Sequence, residues 1–362
     1  MLLLKPNSGV MKISPYLGGQ SHIDGLSDVL KLSSNENPVG PSPQVVNAIA
    51  SAASKVHRYP SRNHTTLRER IAELHGLNPD QVIIGVGSDE ILTLLALAYA
   101  DSGTEVVYPE HGFLLYPTIA HIVGAYPIEA KETERCVDIS SILDSITPKT
   151  RLVYIANPAN PSSTMLEEDV IAQLCDSLPT NCLLVLDGAY AEFVEGFDGG
   201  AGFVRKYENV VMTRTFSKIY GLGGLRVGWG YASASVIDVL NRIRGPFNMS
   251  NIALAGAEAA ILDQVYVKKC RDINSQQRMR LCDGFRQLGI KCDKSYTNFV
   301  LARFNNKKTA DFVNNFLKSQ GIIVRDVKAY KMPEALRITV GTPDDNDRVL
   351  NSVKLALETT CQ

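Results

Sequence analysis

From about residue 80 the chain alternates short runs of aliphatic and β-branched residues with stretches whose apolar positions recur every three to four residues. The short runs are Val82–Gly85, Glu105–Tyr108, Leu152–Ile155, Leu183–Leu186 and Val210–Thr213, and helical spacing occupies Asp89–Ala100, Tyr116–Val123 and Glu167–Ser177. Strands that are apolar on both faces and separated by helices predict a parallel or mixed sheet covered on both sides, the α/β class. Two helices are expected ahead of it: residues 44–54, opened by Pro43, and 65–75, with Asn63 or Thr65 as cap. After Val227–Ala232 the pattern changes to long helical stretches near 235–245 and 251–288. Phe299–Phe304, a helix at 309–319, Ile322–Val324 and Leu336–Val340 then follow. That succession predicts a second, smaller α+β domain, and we place the switch near residue 255. The expected division is an N-terminal arm at 1–34 lying on the small domain or a dimer surface, a large domain at 35–255 and a small domain at 256–362.

With 362 residues, 45% of them apolar and 21% charged, the chain has ample material for a buried core and none of the bias of disordered, collagenous or coiled-coil sequences. Lys and Arg number 37 and Asp and Glu 38, a net charge of −1, so neither nucleic acid nor an anionic membrane is expected as a partner. The seven cysteines, at 136, 175, 182, 270, 282, 292 and 361, contain no C-x-x-C pair; they read as reduced thiols of a cytoplasmic protein, with no metal site. The apolar start Met1–Leu4 is broken by Lys5 and Pro6, and the longest later apolar run, Ile91–Ala100, is about half of what a bilayer span requires. A soluble protein with small-molecule substrates is expected.

Four segments carry candidate chemistry, and each follows a predicted strand. In Thr213-Arg-Thr-Phe-Ser-Lys-Ile-Tyr-Gly-Leu-Gly-Gly-Leu-Arg226, Lys218 stands in a loop rich in hydroxyls and glycines. A partly desolvated amine there can act as a Schiff-base lysine, and Thr215, Ser217 and Arg226 offer the donors a phosphate needs; a solvated basic loop is the plainer reading. Gly85-Val-Gly-Ser-Asp-Glu90 opens a helix, where backbone amides bind anions. A dinucleotide fingerprint would need glycine at Glu90, and Ser88 or Asp89 could simply be an N-cap. Asp187 ends an apolar strand in Leu183-Leu-Val-Leu-Asp-Gly-Ala-Tyr190, where a carboxylate can pair with a protonated ring nitrogen or merely cap a helix. Asn157-Pro-Ala-Asn160-Pro-Ser-Ser163 presents amides and hydroxyls from a rigid turn.

Taken together, Asn160, Asp187-x-x-Tyr190, Ser217-Lys218 and Arg226 resemble the fold type I pyridoxal-phosphate aminotransferases. Asn35-Glu-Asn-Pro-Val-Gly-Pro-Ser-Pro43, Arg58-Tyr59-Pro60, Gly87-Ser-Asp-Glu90 and Leu336-Arg-Ile-Thr-Val-Gly-Thr342 are similar to the histidinol-phosphate branch of that family. The likeness runs from about residue 30 to the C-terminus. It implies a mostly parallel seven-stranded sheet and a homodimer. It also implies pyridoxal 5'-phosphate as cofactor, with Lys218 as Schiff-base lysine and proton shuttle, Asp187 at the ring nitrogen, and Asn160 with Tyr190 at the phenolic oxygen. Ser88, Asp89, Thr215, Ser217 and Arg226 would hold the phosphate, with Tyr59 reaching it from the neighbouring subunit. Arg337 and Arg325 would bind the substrate's anionic group; Tyr16 and Asn35 would join them, and Tyr220 and Phe247 are further candidates for the side-chain pocket. The ring-stacking position falls on His111 in Pro109-Glu-His-Gly-Phe113, with Phe113 close by as the alternative, and the family's usual Asn-Pro-Asn-Asn-Pro-Thr-Gly turn here lacks its glycine.

The expected reaction is transamination of histidinol phosphate with 2-oxoglutarate, in histidine biosynthesis. An aromatic amino acid aminotransferase and a decarboxylase of the threonine-phosphate type share these motifs and stay open. A non-catalytic module of a transcription regulator is opposed by the even charge and the intact Lys218, and a nicotinamide dehydrogenase by Glu90.

Overall fold

In the computed structural model, described for residues 4–15, 18, 20–26 and 28–360, the chain forms two layered units joined by a long helix. The first half runs β1 (Leu30–Leu32), α1 (Pro43–Ala53), α2 (Thr65–His75), β2 (Val82–Gly85), α3 (Gly87–Tyr99), β3 (Glu105–Pro109), α4 (Leu115–Val123) and β4 (Tyr126–Ala130). It continues through β5 (Glu132–Thr133), β6 (Cys136–Val137), α5 (Ile139–Asp144), β7 (Thr150–Ala156), α6 (Glu168–Ser177), β8 (Leu183–Asp187), α7 (Ala201–Lys206), β9 (Val210–Thr215) and β10 (Gly228–Tyr231). The second half comprises α8 (Ala234–Ile243), α9 (Asn251–Leu262), α10 (Gln264–Gln287), β11 (Lys291–Cys292), β12 (Phe299–Arg303), α11 (Lys307–Ser319), β13 (Ile322–Asp326), β14 (Ala335–Thr339) and α12 (Pro343–Thr360).

Seven strands in the order β2-β10-β9-β8-β7-β3-β4 build the larger sheet; the β9-β8-β7-β3-β4 pairings are parallel, and only β10 runs against its two neighbours. The strands are apolar throughout because their alternate residues enter two different cores. Ile84, Val107, Val153, Leu184 and Met212 pack into one, and Ile83, Val106, Leu152, Val185 and Val211 into the other. The smaller sheet has the order β1-β13-β14-β12-β11, with α10, α11 and α12 contributing to its core. Its edge strand β1 comes from the N-terminal arm and pairs parallel with β13, Leu30 opposite Ile322.

Local chemistry accounts for the helix ends. Pro43 sits in the first turn of α1, and the Ser42 hydroxyl accepts from the Val45 amide. The expected cap of α2 at Asn63 or Thr65 is corrected: His64 holds that position at φ 50° with no side-chain cap, and Gly76 closes the helix in the left-handed region. The helical stretch at 251–288 is divided at Asp263, whose carboxylate accepts from the Tyr266 amide and starts α10 afresh. Helix α9, before this break, packs on α1 and α2. No helix among the described residues is long and apolar enough to cross a membrane.

Candidate active site

The parallel strands β7, β8 and β9 end side by side, with Ala156 opposite Asp187 and Asp187 opposite Thr213. The loops leaving these ends carry Asn160, Tyr190 and Lys218, so three segments far apart in sequence meet at the carboxyl edge of the sheet, where open α/β sheets bind ligands. Together with the head of α3 and with β14 of the smaller sheet they enclose a cavity of about 170 Å³.

One side of that cavity is shaped for an anion. Gly87 stands at φ 76°, and a Cβ there would lie 2.5 Å from Arg226 Nη2; a Cβ on Gly228 would lie 2.1 Å from the Ser88 nitrogen. Only glycine permits this close approach of the β2–α3 turn to β10. Ser88 and Asp89 lie inside the first turn of α3 rather than at its cap, which is Val86, so their amides have no partner within the helix. Glu90, at the place where a dinucleotide fingerprint has glycine, instead accepts from the Val86 amide and from Asn248 Nδ2, each at 2.7 Å. Arg226, at φ 55°, donates to Ser217 Oγ at 3.1 Å and to Asp89 Oδ2 at 3.3 Å, and Thr215 Oγ1 accepts from the Ser217 amide. Amides, hydroxyls and a guanidinium thus converge in a space that no side chain fills, and this donor set fits a phosphate.

Lys218 faces the same cavity, its Nζ 3.3 Å from the Ser34 carbonyl oxygen. Burial, with the Arg337 and Arg226 guanidiniums nearby, lowers the amine to about 8. Asp187 is buried, and this raises its carboxyl to about 6 against the hydrogen bonds that favour its charge. Tyr190 accepts a hydrogen bond from Asn35 Nδ2 at 2.8 Å, which leaves its own proton available, and burial pushes its ionisation up. Asn160 Oδ1 accepts from Arg337 Nη1 at 2.5 Å, leaving its Nδ2 as a donor. Arg337, only 6% exposed, also donates to the Ser33 carbonyl oxygen at 2.9 Å and lies over the Phe299 ring.

The structure therefore brings together Ser88, Asp89, Asn160, Asp187, Tyr190, Thr215, Ser217, Lys218, Arg226, Arg337 and Asn35. Asn35 is engaged with Tyr190 and, through its oxygen, with Thr339, so it braces the site. Other expectations are corrected. His111 does not line the cavity: the turn closed by the Gly112 amide on the Pro109 carbonyl directs it to Glu132, 2.7 Å from Nδ1, and Phe113 is the ring that reaches the cavity from this loop. Arg325 lies in register with Arg337 but one strand further out and is not part of the cavity wall. Tyr220 packs in the core against Phe216, whereas Phe247 is 44% exposed and stacks on Tyr59, itself 82% exposed, outside the cavity. Tyr16 lies outside the described residues. Tyr330, presented by a single turn ending at the left-handed Lys331, also lines the cavity, and so short an element leaves no periodic signal in sequence. Phe113, by contrast, stands in the quoted motif, two residues from the position assigned.

Residues 27–353 match the family model of aminotransferase class I and II. A histidinol-phosphate aminotransferase of Roseobacter denitrificans is 57% identical over 345 residues, covering 95% of this chain and 96% of that protein. One from Jannaschia sp. is 54% identical over 350 residues, with 97% of each chain covered. Among solved structures, the histidinol-phosphate aminotransferase of Sinorhizobium meliloti in complex with pyridoxal-5'-phosphate superposes with a TM-score of 0.87 at 27% identity, covering 91% of both chains. A Thermus thermophilus aspartate aminotransferase, at 20% identity and a TM-score of 0.79, shares the fold. With its mostly parallel sheet, half-buried Lys218 and buried Asp187, and matching residues over most of its length, the chain belongs to the class I and II aminotransferase family.

Proposed function

We propose that this aminotransferase uses pyridoxal 5'-phosphate to move the amino group of histidinol phosphate to 2-oxoglutarate, the donor leaving as the carbonyl compound and the acceptor as glutamate. The observation that carries this reading is the presence, around one cavity with Lys218 and Asp187, of two guanidiniums with separate supports: Arg226 on Ser217 and Asp89, Arg337 on Asn160 and Ser33. One suits a cofactor phosphate, the other an anionic group on the substrate. Lys218 would hold the cofactor through Nζ, Asp187 would face its ring nitrogen, Asn160 and Tyr190 its phenolic oxygen, and the α3 amides with Ser217 and Arg226 its phosphate. When bound, this cofactor serves as an electron sink for the bond broken at the amine-bearing carbon.

The protein's own contribution is binding, orientation and proton movement. Because Lys218 Nζ is lowered to about 8, part of it is neutral near neutral pH and can take the proton from that carbon and return it. Asp187, charged above about 6, would hold a proton on the ring nitrogen. Arg337, held rigid by two acceptors, can receive the donor's phosphate in one half-reaction and a carboxylate of glutamate or 2-oxoglutarate in the other.

The stacked, exposed Tyr59 and Phe247 beside Val56, 62% exposed, form an apolar surface that a second copy of the chain would cover, placing Tyr59 at the partner's phosphate. We place the enzyme in the cytoplasm as such a homodimer. An aromatic amino acid as donor is the second reading, supported by the rings of Phe113 and Tyr330 in the cavity wall. Steady-state assays of cofactor-loaded enzyme test the proposal: glutamate formed from histidinol phosphate and 2-oxoglutarate is the expected result, and no glutamate from the fully loaded enzyme would overturn it.

A further inference from the structure

Behind the Asp187 carboxylate lie three buried hydroxyl-bearing side chains, Tyr116, Thr213 and Tyr154, none of which lines the cavity. Tyr116 Oη donates to Asp187 Oδ2 at 2.9 Å, and Thr213 Oγ1 donates to Oδ1 at 3.2 Å. Tyr116 is wholly buried; its ring stacks on Tyr154 with centroids 5.0 Å apart and planes 8° apart, and meets Phe113 edge-on. Tyr154 Oη in turn donates to the Leu92 carbonyl oxygen at 2.8 Å. Leu92 belongs to α3, whose first turn carries the Ser88 and Asp89 amides. Contacts therefore run without a gap from Asp187 through two tyrosines to the helix that forms the anion cradle.

We propose that Tyr116 is a positioning residue: its hydroxyl fixes Asp187 as an oriented carboxylate, and its stack on Tyr154 sets the span between that carboxylate and the head of α3. This inference rests on reading the cavity as a pyridoxal-phosphate site, in which ring nitrogen and phosphate must be met at a fixed separation. In a dry site a carboxylate keeps its charge only if donors replace the lost water. The groups facing Asp187 are Tyr116 from α4, Thr213 from β9, the Ala189 amide after β8 and the Asp89 carboxylate from α3, with the neutral hydroxyls of Tyr154 from β7 and Tyr190 after β8 also in its field. The three donors favour its charge; Asp89 opposes it. Burial drives the ionisation of Tyr116 itself well above its ordinary value, so it remains a neutral donor at every working pH, whereas an imidazole in its place would change charge.

Binding of pyridoxine 5'-phosphate to the apoprotein tests this directly, because that ligand has an alcohol in place of the aldehyde and cannot join Lys218. Titration calorimetry from pH 5 to 8.5 reads an acid limb, where protonated Asp187 must give up its proton to receive the protonated ring. Tyr116→Phe keeps the ring and the stack. It is expected to move that limb up by about one pH unit and to weaken binding several-fold at pH 7. Thr213→Val should move the limb the same way by less, and it carries the test if Tyr116→Phe does not fold. Tyr154→Phe should weaken binding with the limb unmoved. An acid limb that stays in place in Tyr116→Phe and Thr213→Val, with the wild type binding normally, overturns the inference. No binding by the wild-type apoprotein at any pH would remove the cofactor reading, and this one with it.

Discussion

The floor of the cavity and the surface around Tyr59 differ in how finished they are within one chain. On the floor three charged groups are each held by two partners: Asp187 is met by Tyr116 and Thr213, Arg337 by Asn160 and Ser33, and Arg226 by Ser217 and Asp89. At the other place an aromatic pair stands in solvent, Tyr59 82% and Phe247 44% exposed, although apolar rings are the side chains a fold most readily buries. Chemistry that depends on sub-ångström placement is built around rigid strand ends, while the part that the proposed second copy would complete is left to loops.

Five substitutions break or sharpen this contrast. Lys218→Ala should cost at least about 10⁴-fold in kcat while leaving the fold intact, checked by steady-state kinetics beside a thermal melt. Arg337→Ala should lower kcat/KM for histidinol phosphate and for glutamate alike by about 10²- to 10³-fold; a change confined to one of them would contradict a shared anion clamp.

Asp187→Asn separates stability from activity. The folded-state carboxyl, at about 6 against an ordinary 3.8, binds its proton more tightly than the unfolded chain does. The cost of burying the charge is therefore absent below about 3.8, grows as pH rises towards 6 and is full above that. In the apoprotein Asp187→Asn should stabilise by up to about 3 kcal/mol at pH 7.5 and hardly at all at pH 4, read from denaturant melts at both pH values, while activity is lost.

At the surface, Tyr59→Phe keeps the stack on Phe247. It should weaken cofactor binding about tenfold without changing the oligomeric state, measured by equilibrium dialysis and sedimentation. The smallest effect belongs to Ser163, which holds φ 64° where the family's turn has glycine. Ser163→Gly should raise stability by less than about 1 kcal/mol, with kinetics unchanged.

What was legible in the sequence follows the same division. Strands β2, β3, β7, β8 and β9 could be located because both their faces are buried, and the site loops because each follows such a strand. Edge strand β4 was not, since Tyr126 is exposed and Pro127 interrupts it, nor were the six-residue helices α5 and α7. Helix α12 is absent from the sequence expectation although Val349, Val353 and Ala356 are buried at helical spacing. Within the site, residue types identified Lys218, Asp187 and Arg226, but which of His111 and Phe113 turns inward depends on the bend at Gly112. The Tyr116 contact to Asp187 joins residues 71 apart and has no local signature.

The central claim is that Arg337 and the cavity around it serve a phosphate-bearing amine. Rapid mixing of cofactor-loaded enzyme with histidinol phosphate and, separately, with phenylalanine, in a single turnover followed by the absorbance of the bound cofactor, gives the rate over affinity for each. The account predicts a preference for histidinol phosphate of at least about 10²-fold, the worth of a well-paired phosphate–guanidinium contact. Equal or reversed preference would contradict it and make the enzyme an aromatic amino acid aminotransferase.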